Sequence, residues 1–143
     1  METSNPAIHV RTAGPADLPV IARLQAESPE ASQWDVAGYL AVNCLVAESG
    51  GEVCAFIAVR SAGGENEILN LAVALSLRRR GIGRLLLAEA LSRLSGPVFL
   101  EVRESNEAAL RLYESAGFVA AGIRREYYGN PMECAIVMSL QSC

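Results

Sequence analysis

The sequence predicts a mixed α/β domain of the α+β kind, with a mostly antiparallel sheet of about seven strands and about four helices spread over both faces. Three observations carry that prediction. Short apolar or alternating runs recur seven times, separated by turn residues. Two glycine pairs, Gly50-Gly51 and Gly63-Gly64, join three of those runs as successive hairpins. One strand–helix–strand unit, from Glu67 to Val102, interrupts the antiparallel order and makes the sheet mixed.

The elements follow in order. Ile8 to Thr12 alternates as a short strand. Ala16 to Glu27 carries Leu18, Ile21, Ala22 and Leu24 on a helical period, with Pro15 and Asp17 suited to the opening turn. After the loop around Pro29, Asp35 to Val42 reads as a second short helix, with Trp34 just before it. Cys44 to Glu48, Val53 to Arg60 and Glu67 to Val73 form the meander. From Gly81 to Leu94, the recurrence of Ile82, Leu85, Leu86, Ala90 and Leu94 builds one apolar helical face, and Gly96-Pro97 stops it. Val98 to Val102 is an apolar strand apart from Glu101, and Asn106 to Ser115 is a helix capped by Ser105 or Asn106 and ended by Gly117. Phe118 to Ile123 and Cys134 to Leu140 close the sheet, linked by the polar, aromatic loop REYYGNPM.

At 143 residues, 51% apolar and 20% charged, the chain suits one soluble domain over 1–143 with a single core. The net charge of −4 argues against a general nucleic-acid binder. No run of 18 apolar residues occurs and the amino terminus METSNPAIHV lacks a basic signal region, so a cytoplasmic protein away from the membrane is expected. Cys44, Cys54, Cys134 and Cys143 are widely spaced, and the first three lie in apolar strand-like runs where a thiol acts as a small hydrophobe. With His9 alone and no closely spaced carboxylates, no catalytic metal is expected.

Leu77 to Leu91 breaks the local rules. Arg78, Arg79, Arg80 and Arg84 crowd the expected helix start, where the dipole disfavours positive charge, and Gly81 and Gly83 weaken the helix further. A bound anion reconciles these features: free N–H groups face it, glycines let backbone approach, and arginines supply counter-charge. The plain alternative is a solvated basic helix start. The phosphate-loop pattern G-x-x-x-x-G-K-S/T and G-x-G-x-x-G are both absent, so a diphosphate held away from the reaction centre fits better than a phosphoryl donor. Glu101 is the second oddity, a carboxylate inside an apolar strand, where burial raises the pKa unless partners are found and so suits a general base. Twelve residues on, the Tyr113 phenol is placed to protonate a departing thiolate. Taken singly, a solvated strand carboxylate and a core aromatic explain these two residues equally well.

The run NLAVALSLRRRGIGRLLL, followed by FLEVRESNEAALRLYESAGF and IRREYY, resembles the GNAT superfamily of acetyl-CoA-dependent N-acetyltransferases. Within it the chain is most similar to the bacterial ribosomal-protein-alanine N-acetyltransferases. The resemblance covers roughly Glu67 to Leu140, and before that Trp34 ahead of a short helix is the main echo. It implies a GNAT-like fold and acetyl-CoA as donor. Arg78, Gly81 and Gly83 fall on the superfamily's Gln/Arg-x-x-Gly-x-Gly/Ala motif, so that Arg78, Arg79, Arg80, Gly81, Ile82, Gly83 and Arg84 would surround the coenzyme A pyrophosphate. Leu71, Ala72 and Val73 would border the pantetheine arm, Asn106 and Tyr113 would contact the same cofactor, and Glu101 and Tyr113 match the general base and general acid. Trp34, Glu101, Tyr127 and Tyr128 would line the acceptor groove.

Three departures touch that groove: a shorter loop after Tyr128, Met132-Glu133-Cys134-Ala135 in place of a glycine and paired acids, and ASQ before Trp34 without phenylalanine-proline. They leave the acceptor open between a protein amino terminus, such as that of an alanine-initiated ribosomal protein, and a small amine. A non-catalytic acyl-CoA-binding module is the alternative from another class, and Glu101 with Tyr113 argues against it.

Overall fold

The structure, a computed structural model, describes residues 7–29, 33–78, 80–129 and 132–141, and of 125–129 and 132–133 the backbone. Strands β1 (Ile8–Thr12), β2 (Asn43–Ser49), β3 (Glu52–Ala62), β4 (Glu65–Val73), β5 (Val98–Arg103), β6 (Val119–Gly129) and β7 (Met132–Leu140) form one sheet in the order β1-β2-β3-β4-β5-β7-β6. β4 and β5 pair in parallel, across the crossover made by α2 (Ile82–Ser92), and the remaining pairs are antiparallel. The other helices are α1 (Leu18–Ala26), α3 (Glu107–Ser115) and a 3-10 helix over Val36–Ala41. Single 3-10 turns, Pro15–Asp17 and Leu75–Leu77, lead into α1 and out of β4.

The sheet is covered on both sides. Ile21 and Leu24 of α1, with Tyr39, pack on Cys44, Val46, Phe56, Ala58 and Ala72. On the opposite face Leu86, Leu87 and Ala90 of α2, with Tyr113 and Phe118, pack on Leu45, Ile57, Val59, Leu100, Val102 and Met138. β3 is buried without a break from Cys54 to Val59, as a central strand covered twice must be. Cys44 and Cys54 are buried thiols of this core, burial pushing the Cys44 thiol up to about 12.

Two expectations need correction. The segment read as a helix over Asp35 to Val42 is the 3-10 helix Val36–Ala41, its amino end capped by Asp35, whose Oδ1 accepts the Ala37 N–H. Six residues with Gly38 among them do not sustain α-helical propagation. Of the stretch REYYGNPM, read as a loop, the described residues are strand: β6 runs to Gly129 and β7 starts at Met132, with Tyr128 opposite Glu133 and Gly129 opposite Met132, while Asn130 and Pro131 lie outside the described residues. Tyrosine favours strands, and pairing outweighs the turn signal of Gly129.

The start of α1 is held from β1. Arg11 donates from Nη1 and Nη2 to the two oxygens of Asp17, both at 2.8 Å, and Asp17 Oδ2 also accepts the Gly14 N–H at 2.7 Å. The Arg11 hydrogen bonds, helped by Gly14 and opposed by burial, hold the Asp17 carboxyl down at about 2. Because the folded value lies below the unfolded one, this carboxylate stabilises the fold fully above about pH 4, and the contribution is lost as pH falls toward about 2. Asp17→Asn is therefore expected to lower stability at neutral pH and to flatten the acid limb of the stability curve between about pH 4 and 2, read by denaturant unfolding at each pH.

Candidate active site

The site begins as a fork in the sheet. β4 and β5 pair only from Asn66 opposite Val98 to Ile68 opposite Leu100. Beyond that point β4 continues with β3 as far as Val73 opposite Ala55, while β5 continues with β7 as far as Arg103 opposite Ala135. The two middle strands therefore part and leave a wedge between Leu69–Val73 and Glu101–Arg103. Ala74 N–H donates to Cys54 C=O of β3, so alternation turns the backbone groups of Val73 and Leu71 the other way, into the wedge. Ala72 is turned to β3, and its side chain lies in the α1-side core. Of the three residues expected beside the pantetheine arm, Leu71 and Val73 thus present backbone to the fork.

That edge is already tied by side chains. Leu71 N–H donates to Asn70 Oδ1 at 3.0 Å, Val73 C=O accepts Arg78 Nε at 3.1 Å, and Leu69 C=O accepts Trp34 Nε1 at 3.1 Å.

At the open end of β4 the chain turns through Leu75–Leu77 and enters α2. The arginines do not crowd the first turn as the sequence suggested: α2 starts at Ile82, Arg78 and Arg80 precede it, and Arg84 alone of the described arginines lies in it. Gly81 causes the delay, since its φ of 79° places it in the left-handed region as the N-cap. The amides of Ile82, Gly83 and Arg84 then have no acceptor inside the helix and face outward with the positive dipole end. Arg78 is turned inward: besides Val73, its Nη2 donates to Ser28 Oγ at 2.7 Å, and Ser28 is only 2% exposed. Arg80 and Arg84 are exposed and available as counter-charge, and Arg79 lies outside the described residues.

A Cβ on Gly81 meets nothing within 4 Å, so the space before the helix is open, whereas one on Gly83 would sit 3.5 Å from Val73 Cγ2 and 3.6 Å from Leu112 Cδ2. Those are ordinary contacts, so alanine fits at Gly83. Asn and Asp share a shape and tolerate positive φ, which makes the pair Gly81→Asn and Gly81→Asp a clean probe of charge. The aspartate variant is expected to bind acetyl-CoA, the donor that the sequence resemblance implies, about tenfold more weakly than the asparagine variant, measured by calorimetry, and the gap should shrink with added salt.

Glu101 stands at the parting point. Leu100 and Val102 point into the core beneath α2 and α3, so Glu101 points to the opposite face. Its side chain is 18% exposed and pairs with Arg124 of β6, Nη2 to Oε1 at 2.7 Å, across β7. Arg124 had no distinguishing sequence signal, because its partner lies two strands away. Tyr113 lies on the other face, in the core beneath α2 and α3. It is 6% exposed, packs edge-on to Phe118 at 5.5 Å between ring centroids, and burial pushes its phenol above the ordinary tyrosine value. Asn106 is the N-cap of α3, its Oδ1 accepting the Ala109 N–H at 3.2 Å. Tyr127 and Tyr128 lie in β6, and their side chains fall outside those described.

The fork thus brings together the β4 edge, Trp34, Glu101 and the amide cradle of α2. A buried cluster beside it, Gln25, Tyr39 and Asn70, was missed from the sequence. Its signals were a glutamine on the Leu18–Ile21 helical face and an asparagine inside the apolar run ILNLAV.

The profile described as the acetyltransferase (GNAT) family matches residues 16–118. The chain is 45% identical over 82 residues to the ribosomal protein bS18-alanine N-acetyltransferase of Salmonella typhimurium, covering 53% of this chain and 55% of that one. It is 42% identical over 87 residues to the N-alpha-acetyltransferase RimI of Mycobacterium tuberculosis, covering 57% and 55%. The chain thus spans a little over half the length of these curated relatives. The crystal structure of the ribosomal-protein-S18-alanine N-acetyltransferase of Escherichia coli superposes with a TM-score of 0.83 at 30% identity, covering 94% of each chain.

Proposed function

The chain belongs to the acetyltransferase (GNAT) family, and from that premise we propose that it moves the acetyl group of acetyl-CoA onto the α-amine at a protein amino terminus, as on an alanine-initiated ribosomal protein. The carrying observation is the fork with Glu101 at its apex. A long, narrow donor with a polyanionic end fits this geometry. The Leu71 and Val73 backbone edge suits the pantetheine arm, and the Ile82–Arg84 amides, with exposed Arg80 and Arg84, suit the pyrophosphate. Acetyl-CoA supplies an activated thioester carbonyl for an amine to attack.

Glu101 receives the amine proton, directly or through one water, as the N–C bond forms. Tyr113, on the opposite face, gives its proton to the departing sulfur. Burial keeps the phenol protonated, and the same burial makes a neighbouring thiolate more basic. No covalent acyl-enzyme is required, and holding both reactants in one wedge supplies much of the acceleration. An α-amine with a pKa of about 7.7 to 8.0 is roughly one-tenth neutral at pH 7, against fewer than about one in a thousand for a lysine near 10.4. A single carboxylate base therefore favours an amino terminus. The names of the relatives above point the same way.

The test is steady-state acetylation of an alanine-initiated peptide beside a panel of small amines. The proposal expects the peptide to show the higher kcat/KM. Transfer confined to small amines would overturn the peptide reading, and transfer to neither would leave an acyl-CoA-binding module.

A further inference from the structure

Behind the fork lies a buried polar network that the reaction chemistry does not use. Tyr39 O–H donates to Gln25 Oε1 at 2.6 Å, and Asn70 Nδ2 donates to the same oxygen at 3.0 Å and to Tyr39 Oη at 3.2 Å. All three residues are buried, and burial raises the Tyr39 phenol to about 12, so it stays a donor. Apolar residues of similar size would fill this space without the desolvation cost of three polar groups. Two hydrogen bonds lead out of the network toward the site. Gln25 Nε2 donates to Trp34 C=O at 2.6 Å, and Asn70 Oδ1 accepts the Leu71 N–H.

Both of these hydrogen bonds end at the fork. The indole of Trp34 closes the circuit on Leu69 C=O. Leu69 follows Ile68, the last β4 residue paired with β5, and Glu101 follows its partner Leu100. Trp34 is therefore docked on the β4 side of the fork at the level of Glu101 on the β5 side. Trp34 is 43% exposed and lies outside any helix or strand, a setting in which an unrestrained ring would sample several rotamers. Gln33 adds a further tie, donating from Nε2 to the carbonyls of Gln25 and Ser28.

We propose that Gln25, Tyr39 and Asn70 are positioning residues that fix Trp34 opposite Glu101, and so set the gap through which the acceptor amine reaches the base. The assignment rests on the fork being the acceptor site. It predicts residues that govern acceptor KM without touching either substrate. Gln25 and Tyr39 make no contact with the α2 cradle at the open end of the fork, so their loss should leave donor binding unchanged, whereas Asn70, which holds the Leu71 N–H of the donor edge, is left out of that comparison.

Trp34 is the chain's one tryptophan, so its emission reads the device directly. Tyr39→Phe removes one hydroxyl while keeping the ring against Phe56, and Gln25→Met removes the amide that holds the Trp34 carbonyl. Each is expected to raise KM for the best wild-type acceptor about three- to tenfold, the loss of one buried hydrogen bond. KM for acetyl-CoA should stay within about twofold, and Trp34 emission of the free enzyme should shift to the red. Trp34→Phe, which keeps an aromatic ring and deletes the N–H to Leu69, should raise acceptor KM similarly and add little to Tyr39→Phe in the double variant. Unchanged acceptor KM and unchanged emission would overturn the proposal, as would equal rises in both KM values. Using whichever acceptor the wild type prefers keeps this result separate from the peptide question, and the emission arm stands even if the wild type transfers to no amine.

Discussion

Glu101→Gln is expected to lower kcat for acetyl transfer by about 10²- to 10⁴-fold, the usual contribution of a positioned general base. Acetyl-CoA affinity should change little, because the α2 amides and the β4 edge that suit the donor lie apart from this side chain. Glutamine keeps the shape and loses both the basicity and the charge that pairs with Arg124 at 2.7 Å. A second carboxylate variant separates these losses: Glu101→Asp retains a base on a shorter arm and should keep more activity than the amide. Steady-state kinetics with calorimetric titration of acetyl-CoA reads both quantities. A glutamine variant with wild-type kcat would remove Glu101 from the chemistry.

Gly96→Ala is expected to produce the largest loss of stability. A Cβ there would lie 2.3 Å from the Gly64 carbonyl oxygen, backbone against backbone, at a residue whose φ is 88°. Neither partner can yield cheaply. Gly64 belongs to the turn between β3 and β4, and the segment around Gly96 is tied by buried Asn66, whose Nδ2 donates to Ser95 C=O at 2.8 Å and whose N–H donates to Pro97 C=O at 2.9 Å. Overpacking and a forbidden φ together point to about 3 kcal/mol or more, hence a fall in Tm of roughly 6 to 12 °C by thermal melt. Activity should fall with the folded fraction, because Asn66 opposite Val98 is the first pair of the short parallel ladder that sets the fork. An alanine variant that melts with the wild type would refute the close approach.

What could be read from the residues was what local physics controls. The hairpins were legible in Gly50-Gly51 and Gly63-Gly64, the parallel pair in the single helical crossover, and most of the core face of α2 in its apolar period, although Leu85, read onto that face, is exposed and Leu87 is buried in its place. Glu101 stood out because a carboxylate in an apolar strand is locally inconsistent. Features set by distant pairing were not legible. The strand through Tyr127 and Tyr128 depends on β7, the ion pair of Glu101 depends on a residue 23 positions on, and the inward turn of Arg78 depends on Ser28, 50 positions back. The arginine cluster was read as crowding the first turn because nothing local announces that Gly81, left-handed as the N-cap, leaves Arg78 and Arg80 ahead of the helix.

In the proposed reaction the fork delivers a peptide α-amine, rather than a lysine ε-amine, to Glu101. Mass-spectrometric mapping of the product from a peptide that begins with alanine and carries one internal lysine tests it directly. The expected product carries a single acetyl group on the amino-terminal nitrogen, formed with wild-type chain and lost with Glu101→Gln. Acetylation of the lysine with a free amino terminus would contradict it.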